Sequence, residues 1–218
     1  MRSALFVLPL CALALFLVAT RPAPAQTLME NSRIAFVTDR DGNDEIYLMR
    51  VDGSELVNLT NDASADVDPA WSPEGDKIAF ASDRDGDFEI YVMDRDGSDV
   101  TQVTYGAATD LHPSWSPDGE RMLFSSDSAG GNPTVYVMNA DGTNPTNISN
   151  NDDSDKSPSW SLDGSRIGFA SSRNIVIVDP QIYTMNADGT NQAEIAYDSN
   201  FGDPSADAQN FEPAWSPV

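Results

Sequence analysis

Four short stretches of the chain place acidic or polar side chains just ahead of a proline and a tryptophan. A repeated arrangement of this kind encircles a common channel when each stretch enters an equivalent structural unit. A ring of carboxylates would concentrate negative potential there and would favour a basic or amide-rich partner. The residues predicted to bind that partner are Asp66, Asp68, Asp110, His112, Asp155 and Glu212.

The same carboxylates allow two other interpretations. Carboxylate oxygens are ligands that Ca²⁺ prefers, so a calcium site formed by Asp66, Asp110 and Asp155 is an alternative. In the structural alternative, each aspartate caps its own loop by accepting hydrogen bonds from backbone amides, as aspartates do in turns. The residue types leave all three interpretations open, and no cofactor other than calcium is suggested.

Two segments, 39–45 and 83–89, are rich in carboxylates and read DRDGNDE and DRDGDFE. Their density of oxygen ligands is similar to that of a calcium loop, but the glycine and glutamate spacing of an EF-hand is absent. The Asp-Gly pair instead favours a tight hairpin. In that hairpin Arg40 and Arg84 are expected to neutralise neighbouring carboxylates.

The sequence contains little that favours covalent or acid–base catalysis. His112 is the only histidine and Cys11 the only cysteine, so a zinc site built from these residue types is excluded. A Ser-His-Asp system requires a serine and a carboxylate to converge on the histidine, and no G-x-S-x-G motif is present. No catalytic residue is predicted. A polysaccharide lyase or hydrolase that uses paired carboxylates is the enzymatic alternative.

The elements that must position these residues repeat along the chain. Tryptophans recur every 44 to 55 residues, in the phrases VDPAWSPEG, LHPSWSPDG, KSPSWSLDG and FEPAWSPV. A period of this length is typical of one supersecondary unit copied in series. The four tryptophans are predicted to pack between units.

Each unit is predicted to form four short strands. In the second unit these strands span 69–72, 77–82, 88–93 and 100–104, separated by turns rich in Pro, Asp and Gly. One such sheet cannot bury both faces alone, whereas radial stacking of sheets does. The predicted fold is therefore all-β, a β-propeller of about four antiparallel four-stranded blades.

Two arrangements of the ends of the repeat array are compatible with the sequence. In the first, three blades are whole and one is split, because 213–216 completes the first unit and closes the ring. In the second, the ring is open or truncated and leaves an exposed strand edge that favours self-association.

The first 25 residues predict a signal peptide, and residues 26–218 the repeat domain. Arg2 precedes an apolar run at 5–18, and Ala23 and Ala25 suit a cleavage site. Removal of this leader takes Cys11 with it and leaves no predicted membrane span. The net charge of −23 disfavours nucleic acid and anionic lipid as partners. The predicted location is the periplasm or the exterior of the cell.

The repeated phrases resemble the TolB-like propeller repeat, a WD40-like repeat of the PD40 type, over Ser32 to Pro217. The resemblance implies an exported, non-catalytic scaffold that binds a protein partner, such as an envelope lipoprotein. Similar repeats occur in oligogalacturonate-lyase-like proteins and in the propellers of prolyl-oligopeptidase-type peptidases. A carbohydrate-active or peptidase-associated domain is therefore one alternative, and a calcium-stabilised structural module is another. The fourth unit departs from the family pattern at Asn174, where Asp-Gly is expected.

Overall fold

The computed structural model describes residues 32–127, 131–173, 180–196 and 213–216. Within these ranges the secondary structure consists of β-strands, and no helix is long and apolar enough to cross a membrane. The strands are β1 (Arg33–Thr38), β2 (Glu45–Arg50), β3 (Val57–Asn58), β4 (Asp66–Trp71), β5 (Lys77–Ser82), β6 (Glu89–Asp94), β7 (Thr101–Gln102), β8 (Asp110–Trp115), β9 (Arg121–Ser126), β10 (Thr134–Asn139), β11 (Thr146–Asn147), β12 (Asp155–Trp160), β13 (Arg166–Ser171), β14 (Gln181–Asn186) and β15 (Ala193–Ala196).

The strands form four antiparallel sheets, each built from consecutive strands. The first sheet has three strands, in the order β1-β2-β3, and the other three sheets have four strands each. Many of the connections within the described ranges are tight turns with a glycine at positive φ, which explains why neighbours in sequence are neighbours in each sheet. The predicted all-β propeller of antiparallel blades is confirmed, and β4, β8 and β12 are its inner strands.

The register is the same between β1 and β2, β5 and β6, β9 and β10, and β13 and β14. It places a phenylalanine directly opposite a tyrosine, with ring centroids 5.5 to 6.1 Å apart. Every blade therefore presents an aromatic pair at one equivalent place. The four pairs are Phe36–Tyr47, Phe80–Tyr91, Phe124–Tyr136 and Phe169–Tyr183.

The hydrophobic core lies between successive sheets as three clusters. Trp71 packs against the cluster around Phe80, Trp115 against the cluster around Met122, and Trp160 lies inside the cluster around Phe169. The Trp115 indole also donates a hydrogen bond of 3.2 Å to the carbonyl oxygen of Ala70 on the preceding inner strand. The prediction that the tryptophans pack between units is confirmed for these three.

The first sheet leaves an open edge at β1, which pairs only with β2 among the described strands. All six β1 residues are half-buried or exposed, whereas five of six are buried in each of β5, β9 and β13. The C-terminal segment 213–216 does not pair with β1, and its Trp215 indole donates to the carbonyl oxygen of Ser159 at 3.0 Å. The split-blade arrangement is therefore wrong, and the open alternative is confirmed.

The inner strands begin earlier than predicted. The sequence placed the start of the first complete one at Pro69, but β4 begins at Asp66 and passes through a bulge between Val67 and Ala70. The bulge lets the strand include the Pro, which has no amide hydrogen to donate. The fourth strands are shorter than predicted, since β7 spans only Thr101–Gln102.

Candidate functional site

The three inner strands carry the same backbone irregularity at the same place. In each, the ladder shifts register just before and after a proline. The residue before that proline adopts a left-handed conformation, with φ of +55°, +55° and +52° at Asp68, His112 and Ser157. This conformation costs a residue with a side chain roughly 1 to 2 kcal/mol. Such strain is typical of positions that must hold a particular geometry for function.

The bulges line a shared cleft, which we call the inner-strand cleft. Its volume is about 210 Å³. It combines a carboxylate, an imidazole and serine hydroxyls with the apolar faces of proline rings, which suits recognition of a polar chain. The lining residues are Asp68, Pro69, His112, Pro113, Ser114, Ser157, Pro158, Ser159 and Pro213.

Asp68 and His112 are linked across the cleft. The backbone amide of His112 donates to Oδ2 of Asp68 at 3.1 Å. The imidazole Nε2 lies 3.9 Å from the same oxygen, which is too long for a direct hydrogen bond. Both side chains keep about a quarter of their surface exposed. The link fixes the two bulges relative to each other and leaves their polar side chains accessible to a partner.

Asp66, Asp110 and Asp155 are placed differently from the prediction. They were expected to encircle the channel and to contact a partner, but each is the first residue of an inner strand and at most 5% exposed. Burial raises the pKa of Asp66 and of Asp110. The earlier strand start explains the difference, since these positions now lie inside the sheet. Glu212, the last of the predicted partner-binding residues, lies outside the described residues.

Two of these buried aspartates pair with arginines from the following hairpin. Arg84 Nη2 lies 2.8 Å from Asp66 Oδ1, and Arg173 Nη2 lies 2.8 Å from Asp155 Oδ2. The hairpin arginine was expected to neutralise carboxylates beside it in sequence. Arg84 instead reaches back across its own sheet to the inner strand, which the linear order of residues does not reveal.

Asp110, on the second inner strand β8, faces a second carboxyl group, that of Glu89, in place of an arginine. Burial, together with the negative charges of Asp110, Asp85 and Asp87, raises the pKa of Glu89 to about 7, against the hydrogen bond from Thr104, which lowers it. Glu89 is fully buried and its Oε1 accepts no hydrogen bond from the described residues. The two carboxyl groups of Glu89 and Asp110 therefore tend to share one proton near neutral pH.

Glu89→Gln is predicted to make the protein more stable at pH 8 and to flatten its pH dependence. The folded-state pKa is above the unfolded value near 4.5, so the folded protein holds a proton that the unfolded chain has released. The contribution of the Glu89 carboxyl group to the free energy of unfolding is therefore complete below about pH 4.5 and is lost as the pH rises to about 7. The expected loss is roughly 2 to 3 kcal/mol. Urea unfolding between pH 4.5 and 8 measures it.

Asp110→Asn provides the companion variant, because it removes the like charge and leaves Glu89 in place. We expect a smaller fall of stability with pH than in the parent protein. Equal pH dependence in the parent, Glu89→Gln and Asp110→Asn proteins would contradict this assignment.

The acidic hairpins are satisfied largely by donors from the protein. Asn43 donates hydrogen bonds from its side-chain amide to Glu45 and to the carbonyl oxygens of Asp62 and Ser64.

In the second hairpin, one oxygen atom each of Asp85, Asp87 and Glu89 lies within 4.8 Å of the other two. Calcium binding, here or at the three predicted aspartates, stays a prediction, and two of those aspartates already face an arginine.

Comparisons with known proteins identify relatives of this propeller. The sequence profile of a family described as the TolB beta propeller domain matches residues 20–130 and 109–218. A curated TolB homolog of Chlorobaculum tepidum is 50% identical over 44 residues, 20% of this chain and 10% of the relative. The match to the family profile thus extends over most of the chain.

Solved structures show the same fold. A putative TolB from Agrobacterium tumefaciens is 28% identical with a TM-score of 0.67, covering 74% of this chain and 60% of that one. TolB from Acinetobacter baumannii is 24% identical with a TM-score of 0.65, covering 77% and 42%. An oligogalacturonate lyase from Vibrio parahaemolyticus, at 13% identity and a TM-score of 0.61 over 79% and 51%, shares the fold alone. This chain spans less than two thirds of the length of each of these three proteins. The match to the family profile shows that it belongs to the TolB β-propeller domain family.

Proposed function

We propose that this chain is an exported, non-catalytic propeller that binds a protein partner through the inner-strand cleft. The observation that carries the proposal is the bulge at Asp68, His112 and Ser157, repeated on three strands with φ near +50°. The packing around these three equivalent residues must hold them in the left-handed conformation, because that conformation is strained. The result is a polar surface that is formed before a partner arrives, which lowers the entropic cost of binding.

The charge of the protein indicates the kind of partner. With a net charge of −23 and an accessible carboxylate in the cleft, the protein attracts basic or amide-rich segments and repels acidic ones. The relatives named TolB and the predicted signal peptide favour a partner in the cell envelope, such as an envelope lipoprotein. The signal peptide, residues 1–25, lies outside the described residues.

A catalytic role is less well supported by the geometry of the described residues. His112 Nδ1 has no hydrogen-bond partner among them, and no serine hydroxyl is bonded to the imidazole. Asp66 and Asp155, which a glycosidase mechanism would need as free carboxyl groups, are buried against arginines. Turnover of a polysaccharide or peptide that disappears in His112→Asn would favour the enzymatic alternative.

The proposal predicts loss of a partner when the cleft is changed without disturbing the bulges. Asp68→Asn with His112→Asn removes the carboxylate and the imidazole, while asparagine tolerates the left-handed conformation. Capture from an envelope extract should retain a partner on the parent protein and lose it on this double variant, by roughly tenfold or more.

The matched control is Asp99→Asn with Glu74→Gln, two exposed positions away from the cleft. It removes carboxylate charge at positions unrelated to the cleft and should retain the partner. If the partner remains on the cleft variant, or leaves both variants equally, the cleft is not the binding surface.

A further inference from the structure

Three of the four sheets carry an arginine four residues after the phenylalanine of the aromatic pair. These residues are Arg40, Arg84 and Arg173, and the third sheet has Ser128 at that sequence position. Each of the three guanidinium carbons lies within 6 Å of both rings of its own sheet. The aromatic pair is therefore a platform on which a guanidinium group stacks, and the third sheet lacks the arginine for it.

The surroundings of Arg84 define what such a platform provides. The guanidinium carbon lies 5.3 Å from the Phe80 ring centroid and 4.7 Å from that of Tyr91. Nη2 is 2.8 Å from Asp66 Oδ1, and Nε donates to Ser82 Oγ at 2.9 Å. Nη2 also lies 3.2 Å from Oδ2 of Asp62, an exposed carboxylate. Two aromatic faces, one hydroxyl, the buried carboxylate of Asp66 and this second carboxylate thus surround a single cation.

The third sheet has counterparts of four of these groups around a cavity of about 240 Å³. Phe124, Tyr136, Asp110 and Ser126, which occupy the positions of Phe80, Tyr91, Asp66 and Ser82, all line it. Their rings lie 5.5 Å apart at 32°, against 5.8 Å and 29° for Phe80 and Tyr91. Tyr105, which is 74% exposed, also lines the cavity and places it at the surface.

The cavity carries buried negative charge that no cation of the described residues balances. Asp110 is 5% exposed and its Oδ1 accepts no hydrogen bond there, and the same holds for Oε1 of the fully buried Glu89 beside it. No arginine or lysine of the described ranges forms an ion pair with either carboxyl group. An unpaired buried carboxylate is costly, so a cation that enters gains more here than at an exposed acidic cluster.

We propose that this cavity is a binding site for an external guanidinium cation on an alkyl stem, supplied by a small molecule or by an arginine of another polypeptide. A planar guanidinium stacks on aromatic faces and reaches a carboxylate edge-on, as Arg84 does here, whereas a compact ammonium is less suited to that geometry. The site is separate from the inner-strand cleft and does not depend on the function proposed for that cleft.

The test is calorimetric titration of the full chain with ethylguanidinium at pH 8 and constant ionic strength. We expect one saturable site with a Kd near the millimolar range, and binding of ethylammonium that is weaker by about tenfold. A second titration uses the capped peptide acetyl-Gly-Arg-Gly-amide. Binding of both probes indicates that an arginine side chain is accommodated, and binding of ethylguanidinium alone indicates a free small molecule.

Two variants and a control decide whether the cavity is responsible. Asp110→Asn removes the carboxylate, and Ser128→Arg supplies a cation from the chain itself, so each should weaken ethylguanidinium binding by about tenfold or more. Asp99→Asn removes one exposed charge and should leave the affinity unchanged. Absence of saturable binding, or equal affinity in the parent, Asp110→Asn and Ser128→Arg proteins, would overturn the proposal.

A gain-of-site variant keeps the proposal testable if Ser128→Arg does not fold. Arg84→Ala creates an equivalent cavity next to Asp66 in the second sheet. Ethylguanidinium should then raise the melting temperature of Arg84→Ala more than that of the parent protein, whereas ethylammonium should not. Equal shifts in the two proteins, or equal effects of the two cations, would count against a guanidinium site of this design.

Discussion

Replacement of Arg84 by alanine is expected to destabilise the protein by about 3 to 5 kcal/mol. Asp66 is fully buried, and Arg84 is its ion-pair partner among the described residues, at 2.8 Å. Removing the guanidinium leaves a carboxylate with neither solvent nor counter-charge, and also removes the stacking on Phe80 and Tyr91. Urea unfolding at pH 7 measures the loss.

Arg40→Ala is the matched control for this substitution. Arg40 stacks on Phe36 and Tyr47 in the same way, but it is exposed and forms no ion pair within the described ranges. Its loss should cost only about 0.5 to 1 kcal/mol, the contribution of an exposed cation–π contact. Similar losses for Arg40→Ala and Arg84→Ala would show that the buried ion pair is not what makes the arginine important.

Gly142→Ala is expected to cost roughly 2 to 5 kcal/mol, because two effects add. Gly142 has φ of +84°, which an alanine adopts only with strain. A Cβ built there would also lie 2.2 Å from the carbonyl oxygen of Val103, on the outer part of the preceding sheet. Since that contact is to backbone, the two sheets must separate to relieve it. Thermal and urea unfolding report the loss.

Gly53→Ala separates the two effects. Gly53 has nearly the same φ of +80°, at the equivalent turn of the first sheet, but nothing lies within 4 Å of its Cβ position. It should lose only the conformational part, about 1 to 2 kcal/mol. If Gly142→Ala is no worse than Gly53→Ala, then the close approach of neighbouring sheets at this turn does not contribute to stability.

Much of the fold could be predicted from the repeat. The second and third strands of each unit are apolar and β-prone, and an Asp-Gly turn follows the third strand each time, so their existence and order were predicted correctly. The first strands were misplaced because the bulge depends on Asp68, His112 and Ser157 adopting positive φ without a glycine. A bulge at residues other than glycine leaves no clear turn signal, so the predicted strand began only at Pro69.

The sequence predicted part of the set of residues that line the candidate site, but not their burial or their pairing. Asp68 and His112 do line a common cleft, as a repeat of equivalent positions implies. Asp66 and Asp155 were assigned to the same surface, although arginines some 18 residues further along bury and pair them. Pairing over that separation depends on how strands fold back, which composition and spacing do not specify. The cavity at Asp110 follows from a missing arginine and could have been noticed only by aligning the four hairpins.

The open edge at β1 was one of two arrangements that the sequence allowed. Both terminal phrases match the repeat, so the pattern alone did not decide whether 213–216 pairs with β1 or continues the array. The lack of pairing between β1 and 213–216 decides it, because the first sheet contains only β1, β2 and β3 among the described strands. The Trp215 indole bonds to Ser159 as that of Trp115 bonds to Ala70. Residues 213–216 therefore take the place that follows β12, where an inner strand of a further blade would lie.

The most direct test of the central claim, that the inner-strand cleft is the partner-binding surface, is site-specific photo-crosslinking. Ser114→Cys, in a chain with Cys11→Ser, carries a benzophenone inside the cleft, and Val100→Cys carries one at an exposed position outside it. We expect the partner captured from the envelope to crosslink to the probe at position 114 and not to the probe at position 100. Crosslinking from position 100 alone, or equally from both, would contradict it.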